Sequence, residues 1–377
     1  MKEQNILFGQ VSRREFLGTA ATAAAFSALP LTCLGIPAPG AVALAKPNSK
    51  FNGVQIGTIT YSFRNLDPGI EGVLKACVEA NCSSIELMSN GIEDWCGAPK
   101  AAARGRGPGP GGAPPGAPGA TPPGAATADA RGAAAQGARG EMPPRGGGRQ
   151  SLTPEQQAAQ DKYNAEIKAW RLAAPMDKFA QLKKMFSDAG VGIHIVKWSP
   201  ARWSDEEIDY AFKTAKALGA NAVSEELSLD AAKKLGPIAE KHGMVIAFHN
   251  HMQFAAAGFE NDVLKPALAV SRAVKMNFDI GHFQGSTGRH PNEIINQYKD
   301  RIFSLHLKDK TGPKTTPPNT NQVWGQGETP LVEVLLKVRD EKLPYYCDIE
   351  LEYPIAAWST SVKEVRTCVS FARQILI

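Results

Sequence analysis

Seven histidines occur in the 377-residue chain, and four of them close short apolar runs in its last third. The runs read Val245-Ile-Ala-Phe-His249-Asn-His251, Met276-Asn-Phe-Asp279-Ile-Gly-His282, Ile302-Phe-Ser-Leu-His306-Leu-Lys308-Asp309 and Tyr345-Tyr-Cys-Asp-Ile-Glu350-Leu-Glu352. Imidazole and carboxylate groups gathered from several strand ends form a donor set that suits a divalent cation. On an extended strand alternate residues share a face. His249 therefore sits beside His251, His306 beside Lys308, and Asp348, Glu350 and Glu352 form one row. Three acids on one face cannot all be buried and ionised without cations nearby. Either a metal neutralises them, or the outer ones reach solvent or an arginine. Asp279 reads as a strand-end ligand, because Gly281-His282-Phe283 is not a helix start.

Other residues carry weaker signals. One of Glu225 and Glu226 must point inward from its strand. Glu86, in an Ile-Glu-Leu pattern like that of Glu350, either lines the site or belongs to a structural ion pair. Glycines in Trp324-Gly-Gln-Gly327 let backbone approach a ligand, and Trp324 could stack on a sugar ring. Tyr61, Phe63, Trp198 and Trp358 suit an apolar wall near the same strand ends.

Helical segments separate the runs. A first strand and its loop are expected over 54–64, and strands at 84–88, 191–198 and 222–226, then at the four runs above. Thr153-Pro154 opens a helix that extends to about Leu172, and Ser204-Asp-Glu-Glu207 is a capping box. The helix over 229–242 carries a Gly-Pro interruption at 236–237. Eight strand–helix units predict an α/β fold, a closed (β/α)8 TIM barrel, with all the strand C-termini on one face. No dinucleotide fingerprint follows the first strand, and no phosphate-binding Walker loop is present.

Two stretches lie outside that repeat. Residues 97–150 hold 15 Gly, 10 Pro and 15 Ala, a composition with almost nothing to bury. They read as a disordered low-complexity insertion after strand two, within a barrel domain over 46–377. That insertion carries a net charge of +5, equal to that of the whole chain, so the remainder has no excess of positive charge. A basic nucleic-acid-binding core is excluded on that ground. Ser12-Arg13-Arg14-Glu15-Phe16-Leu17 resembles a twin-arginine export signal, and Ala43-Leu44-Ala45 offers a cleavage site. Residues 1–45 thus read as a signal peptide that engages the twin-arginine translocon. The mature protein is expected to be periplasmic or otherwise exported, with no stable membrane insertion. Cys77, Cys82, Cys96, Cys347 and Cys368 form no CxxC pair and read as small core residues.

Asn277-Phe-Asp279-Ile-Gly-His282, His306-Leu-Lys308-Asp309, Trp324-Gly-Gln-Gly327 and Ile349-Glu350-Leu-Glu352-Tyr-Pro354 resemble the motifs of the xylose-isomerase-like TIM barrels, often called the sugar phosphate isomerase/epimerase family. The resemblance covers about residues 52–376, apart from the insertion. It implies one divalent metal ion (Mn, Co, Zn or Mg) held by Asp279, His306 and Glu350, with His282 at the substrate-contacting position. Strand five departs from the epimerase pattern. A glutamate there is replaced by His249, so the fourth ligand is His249, His251 or Glu226. A His-x-His run at this place is more similar to the inosose-dehydratase and oxidised-glycoside lyase side of the superfamily. The implied activity is that of an isomerase, epimerase or lyase acting on a keto-sugar or oxidised glycoside through an enediolate. His251 or His249 would be the general base, and His282 and Lys308 would orient or protonate the substrate oxygen. Glu86, Trp324 and Glu352 would contact the carbohydrate. Two other readings are a periplasmic carbohydrate-binding protein on the same barrel and an endonuclease IV-like phosphodiesterase. Export and the lack of excess positive charge outside the insertion disfavour the second. The oligomeric state is open, a homo-oligomer included.

Overall fold

Eight short runs buried on almost every residue become eight parallel strands, as expected of strands covered on both faces. The computed structural model describes residues 46–66, 69–89, 91–100 and 153–377. The strands are β1 (Val54–Ile59), β2 (Ser84–Met88), β3 (Gly192–Lys197), β4 (Ala222–Glu226), β5 (Val245–His249), β6 (Val274–Asp279), β7 (Ile302–Leu307) and β8 (Tyr346–Ile349). Each pairs in parallel with the next, and β8 returns to β1, Ile349 opposite Thr58, so the sheet closes into a barrel. A two-residue strand, Lys50–Phe51, adds antiparallel to β1. The twin-arginine motif, the Ala43–Ala45 site and all but residues 97–100 of the Gly/Pro/Ala stretch lie outside the described residues. Among the described residues no helix is long and apolar enough to cross a membrane.

The helices are α1 (Gly69–Glu79), α2 (Ile92–Cys96), α3 (Pro154–Leu172), α4 (Met176–Asp188), α5 (Asp205–Ala217), α6 (Leu229–His242), α7 (Lys265–Ala269), α8 (Ile280–Thr287), α9 (Asn292–Gln297), α10 (Leu331–Asp340) and α11 (Ser361–Leu376). The expected capping box of Ser204 with Glu207 forms, and the expected helix start at Thr153 is a capping box too, with Gln156. Two expectations are corrected. First, α6 runs unbroken through Gly236-Pro237. Gly236 lies against Val270 and Val274, and a Cβ there would crowd both, so the glycine serves close packing rather than a break. Second, Gly281-His282-Phe283 does lie in the opening of a helix, α8, whose N-cap is Asp279.

The barrel interior is unusually polar. Layers of branched apolar side chains are the norm for such barrels. Here Thr58, Ser84, Glu86, His194, Ser224, Asn277, Ser304, His306 and Asp348 are all buried. Many bond one another across the lumen: Ser224 Oγ donates to Glu86 Oε1 at 2.8 Å, Asn277 Nδ2 to Glu86 Oε2 at 2.8 Å, and Ser304 Oγ to Asn277 Oδ1 at 2.6 Å. All five described cysteines are free and buried.

Candidate metal and carbohydrate site

The C-terminal ends of β5 to β8 bring four of the expected ligands together. One donor atom from each of His249, Asp279, His306 and Glu350 lies within 4.8 Å of the other three. His249 Nε2 stands 3.4 Å from Asp279 Oδ2 and 3.9 Å from Glu350 Oε2. That buried nitrogen has no hydrogen-bond partner. An imidazole nitrogen left unpaired beside two carboxylate oxygens fits a shared divalent ion, since a buried polar atom otherwise finds a partner. Asp279 divides its carboxylate. Oδ1 accepts the backbone N–H of His282 at 2.7 Å and starts α8, while Oδ2 faces the cluster.

Carboxylates outside the cluster support its histidines. His306 Nδ1 lies 2.7 Å from Glu350 Oε2, and its Nε2 lies 2.7 Å from Glu86 Oε2. Glu86 is fully buried with both oxygens bonded, so of its two expected roles the structure places it as the ion-pair support of His306 and leaves it no surface to offer a carbohydrate. Carboxylate–imidazole pairs of this kind set the tautomer and ring angle of a metal-binding histidine. Burial opposes the Glu86 charge, but His306, Lys197 and Ser224 overcome it and hold its pKa down at about 2. Burial likewise opposes a charged His306, and Glu350 and Glu86 outweigh it, raising the imidazole well above its usual value. Glu226 stands on the other side of His249, with Oε2 3.4 Å from His249 Nδ1 and 3.3 Å from His251 Nδ1. The structure thus groups His249 with Asp279, His306 and Glu350, and groups Glu226 with His249 and His251. Lys197 Nζ binds Glu226 Oε1 at 2.8 Å.

Lys308 is the central cation. Its buried Nζ lies 2.9 Å from Asp279 Oδ2, 3.0 Å from Glu350 Oε2 and 3.1 Å from Glu352 Oε2. Burial opposes its charge, yet these carboxylates raise its pKa above the ordinary lysine value. The same ammonium lowers Asp279 and Glu350 against the effect of burial. His282 lies at the mouth, Nε2 3.7 Å from Glu352 Oε2, with both ring nitrogens free of hydrogen bonds. Burial outweighs the Asp279 carboxylate and pushes its pKa down to about 3, so the ring is neutral. His251 is 50% exposed at the same mouth, its ring 5.0 Å from that of His282.

The three acids of the β8 row all face inward, at three depths. Asp348 Oδ2 meets His194 Nε2 at 2.8 Å, deep in the barrel. Glu350 meets His306 and Lys308, and Glu352 meets Lys308 and His282 at the rim. The chain's own bases thus accompany every carboxylate. Trp324 is not offered to a ligand. It is 7% exposed and packs edge-on against Phe371 of α11, with ring centroids 5.8 Å apart. Its loop is held by Asp309, which accepts the N–H groups of Gly325, Gly327 and Thr329 at 2.8, 2.9 and 3.1 Å. Sequence reasoning missed Asn277, Lys197 and the His194–Asp348 pair. Lys197 ends β3 just as His249 ends β5, a signal that was present; His194 carried none.

The family model for the xylose isomerase-like TIM barrel matches residues 189–368. That span holds β3 to β8 and every member of the four-residue cluster.

The fold is a xylose isomerase-like TIM barrel.

Within this fold class the barrel is similar over 84 residues, at 36% identity, to an inosose dehydratase of Clostridium beijerinckii, a stretch covering 22% of this chain and 28% of the relative. A second inosose dehydratase, of Clostridium botulinum, is 37% identical over 76 residues, 20% of this chain and 25% of the relative. The chain therefore matches only about a quarter of the length of these curated relatives. Among solved structures, a sugar phosphate isomerase/epimerase from Parabacteroides distasonis is 14% identical, covers 85% of this chain and 95% of its own, and has a TM-score of 0.49. A probable 3-DHS dehydratase involved in petrobactin synthesis, from Bacillus anthracis, is 11% identical, covers 84% and 98%, and has a TM-score of 0.48.

Proposed function

We propose that this barrel is a divalent-metal-dependent enzyme that removes a proton beside a ketone of a sugar or polyol and then eliminates water or a glycosidic group. The gathering of His249, Asp279, His306 and Glu350 within 4.8 Å carries the reading. Those four residues would hold the ion, Mn, Co, Zn or Mg, which when bound polarises the substrate carbonyl and offsets the charge that develops on its oxygen. His251, half exposed and oriented through Nδ1 by Glu226, takes the proton at Nε2. In an elimination the same imidazolium returns the proton to the departing oxygen, so proton and leaving group balance. In an isomerisation it returns it to carbon. Neutral His282 and charged Lys308, with Glu352 between them, position the hydroxyls at the mouth. The partial match to inosose dehydratases, named for a keto-polyol, favours elimination.

The test is direct. Metal-loaded protein is incubated in deuterated water with a panel of keto-polyols, keto-sugars and oxidised glycosides, followed by NMR. Deuterium uptake at the carbon beside the ketone, or appearance of an alkene, is expected. A broad panel that gains no label and loses no material sinks the reading.

Export through the twin-arginine pathway belongs to the same proposal and is supported by Ser12-Arg13-Arg14-Glu15-Phe16-Leu17. Replacing Arg13 and Arg14 together by Lys should trap the precursor in the cytoplasm; unchanged release to the periplasm removes this part of the proposal.

A further inference from the structure

Lys308 Nζ approaches the same two oxygens, Asp279 Oδ2 and Glu350 Oε2, that face the unpaired His249 Nε2. A divalent ion sits about 2.0–2.2 Å from carboxylate oxygen, so an ion on these two atoms would stand within a few ångströms of the ammonium. Like charges that close, in a pocket shielded from water, repel strongly. Conversely, the ammonium gives two buried carboxylates the counter-charge they require when no ion is bound.

We propose that Lys308 is an internal stand-in for the metal, which holds the ligand carboxylates in the metal-free protein and swings to the mouth when a divalent ion binds. The inference rests on the metal reading above. The destination is already built. Glu352 Oε2 lies 3.1 Å from Nζ and is 20% exposed, so it can retain the ammonium after Asp279 and Glu350 release it. The hinge is built as well. A Cβ on Gly281 would collide with Cγ of Lys308, so the lower stem is wedged against α8 and only the torsions beyond Cγ are free. Lys308 therefore trades the floor of the pocket for its rim, and a cation reaches the substrate's hydroxyls only once the metal is in place. Metal loading and substrate-site assembly are one event.

Two measurements decide this. Titration calorimetry with Mn²⁺ compares the wild type with Lys308→Met, whose side chain fills similar space without charge. The variant should bind at least tenfold tighter, while its metal-free form melts at lower temperature and regains the difference on loading. Separately, acylation of Lys308 by an amine-directed reagent is read by mass spectrometry in wild-type protein. The residue should be inert without Mn²⁺ and reactive with it. Equal or weaker Mn²⁺ binding by the variant, or unchanged acylation on loading, overturns the inference. If the variant does not fold, the acylation result alone decides. If neither protein binds Mn²⁺, the metal reading falls and takes this inference with it; if both bind equally, only this inference falls.

Discussion

Asp279 Oδ1 accepts the backbone N–H of His282 at 2.7 Å, while Oδ2 of the same carboxylate lies 3.4 Å from His249 Nε2. One side chain both starts α8 and turns an oxygen to the four-residue cluster. The arrangement ties the position of His282 to the position of the cluster-facing oxygen, because the cap fixes the carboxylate plane.

The two roles separate by substitution. Asp279→Asn keeps an oxygen that can cap, so the fold should persist while bound metal, read by elemental analysis, drops well below one ion per chain. Asp279→Ala should also lose about 1 kcal/mol of stability in urea unfolding, the usual worth of a cap. Asn and Ala variants equal in stability would show that the cap contributes nothing; full metal content in Asn would remove Asp279 from the ligand set.

His251→Ala should slow deuterium exchange at the substrate carbon by about 10²- to 10⁴-fold, the usual contribution of a positioned base. Metal content should be unchanged, because His251 stands outside the four-residue group. A matching loss of metal would instead make His251 a ligand.

The deep pair His194–Asp348 should matter for stability alone. Removing one partner of a buried pair of this kind costs about 3–5 kcal/mol. His194→Ala should therefore shift the urea midpoint far more than Ser84→Ala, which loses a single hydrogen bond worth about 1 kcal/mol. Metal affinity of either folded variant should match the wild type. Loss of affinity at constant stability would assign the pair to the site.

Acid sensitivity should appear at the junction of α2, α3 and α5. Arg171 binds Glu93 at 2.8 Å and Glu207 at 3.0 Å, and its guanidinium lies 3.8 Å over the Trp203 ring. Burial raises Glu207, but bonds from Arg171 and Ser204 lower it further, to a value below the usual glutamate range. A depressed folded-state pKa contributes stability above the unfolded value of about 4.3, and that stability is lost as pH falls through the folded value. The gap in urea midpoint between wild type and Arg171→Leu should be widest at pH 6 and should narrow below pH 4. A gap independent of pH would mean that Arg171 acts only by packing on Trp203.

The barrel and the four-residue cluster were readable because β5 to β8 are buried runs whose ends change abruptly from apolar residues to imidazole and carboxylate. Register did the rest: with parallel pairing, Asp279 falls opposite His306 and Asp348 opposite His306 as well. What was not readable depended on distant contacts. Nothing local to Trp324 shows that Phe371 of α11 covers it. Glu86 and Glu350 share a sequence pattern, yet only the lumen decides that one supports His306 from behind and the other faces the pocket. The Asp279 cap escaped because Ile-Gly-His-Phe has poor helix-opening chemistry, and the capping oxygen came from a residue already given another task.

A barrel whose axis is lined with acids and bases is hard to alter one position at a time. Glu86 answers to His306, Ser224 and Asn277, and Asn277 answers to Ser304. Single replacements strand a neighbour, whereas paired replacements do not, so effects at these sites should combine far from additively. Descendants of such a chain would change substrate by editing the outer loops and leave the lumen as an inherited block, passed on whole or lost whole.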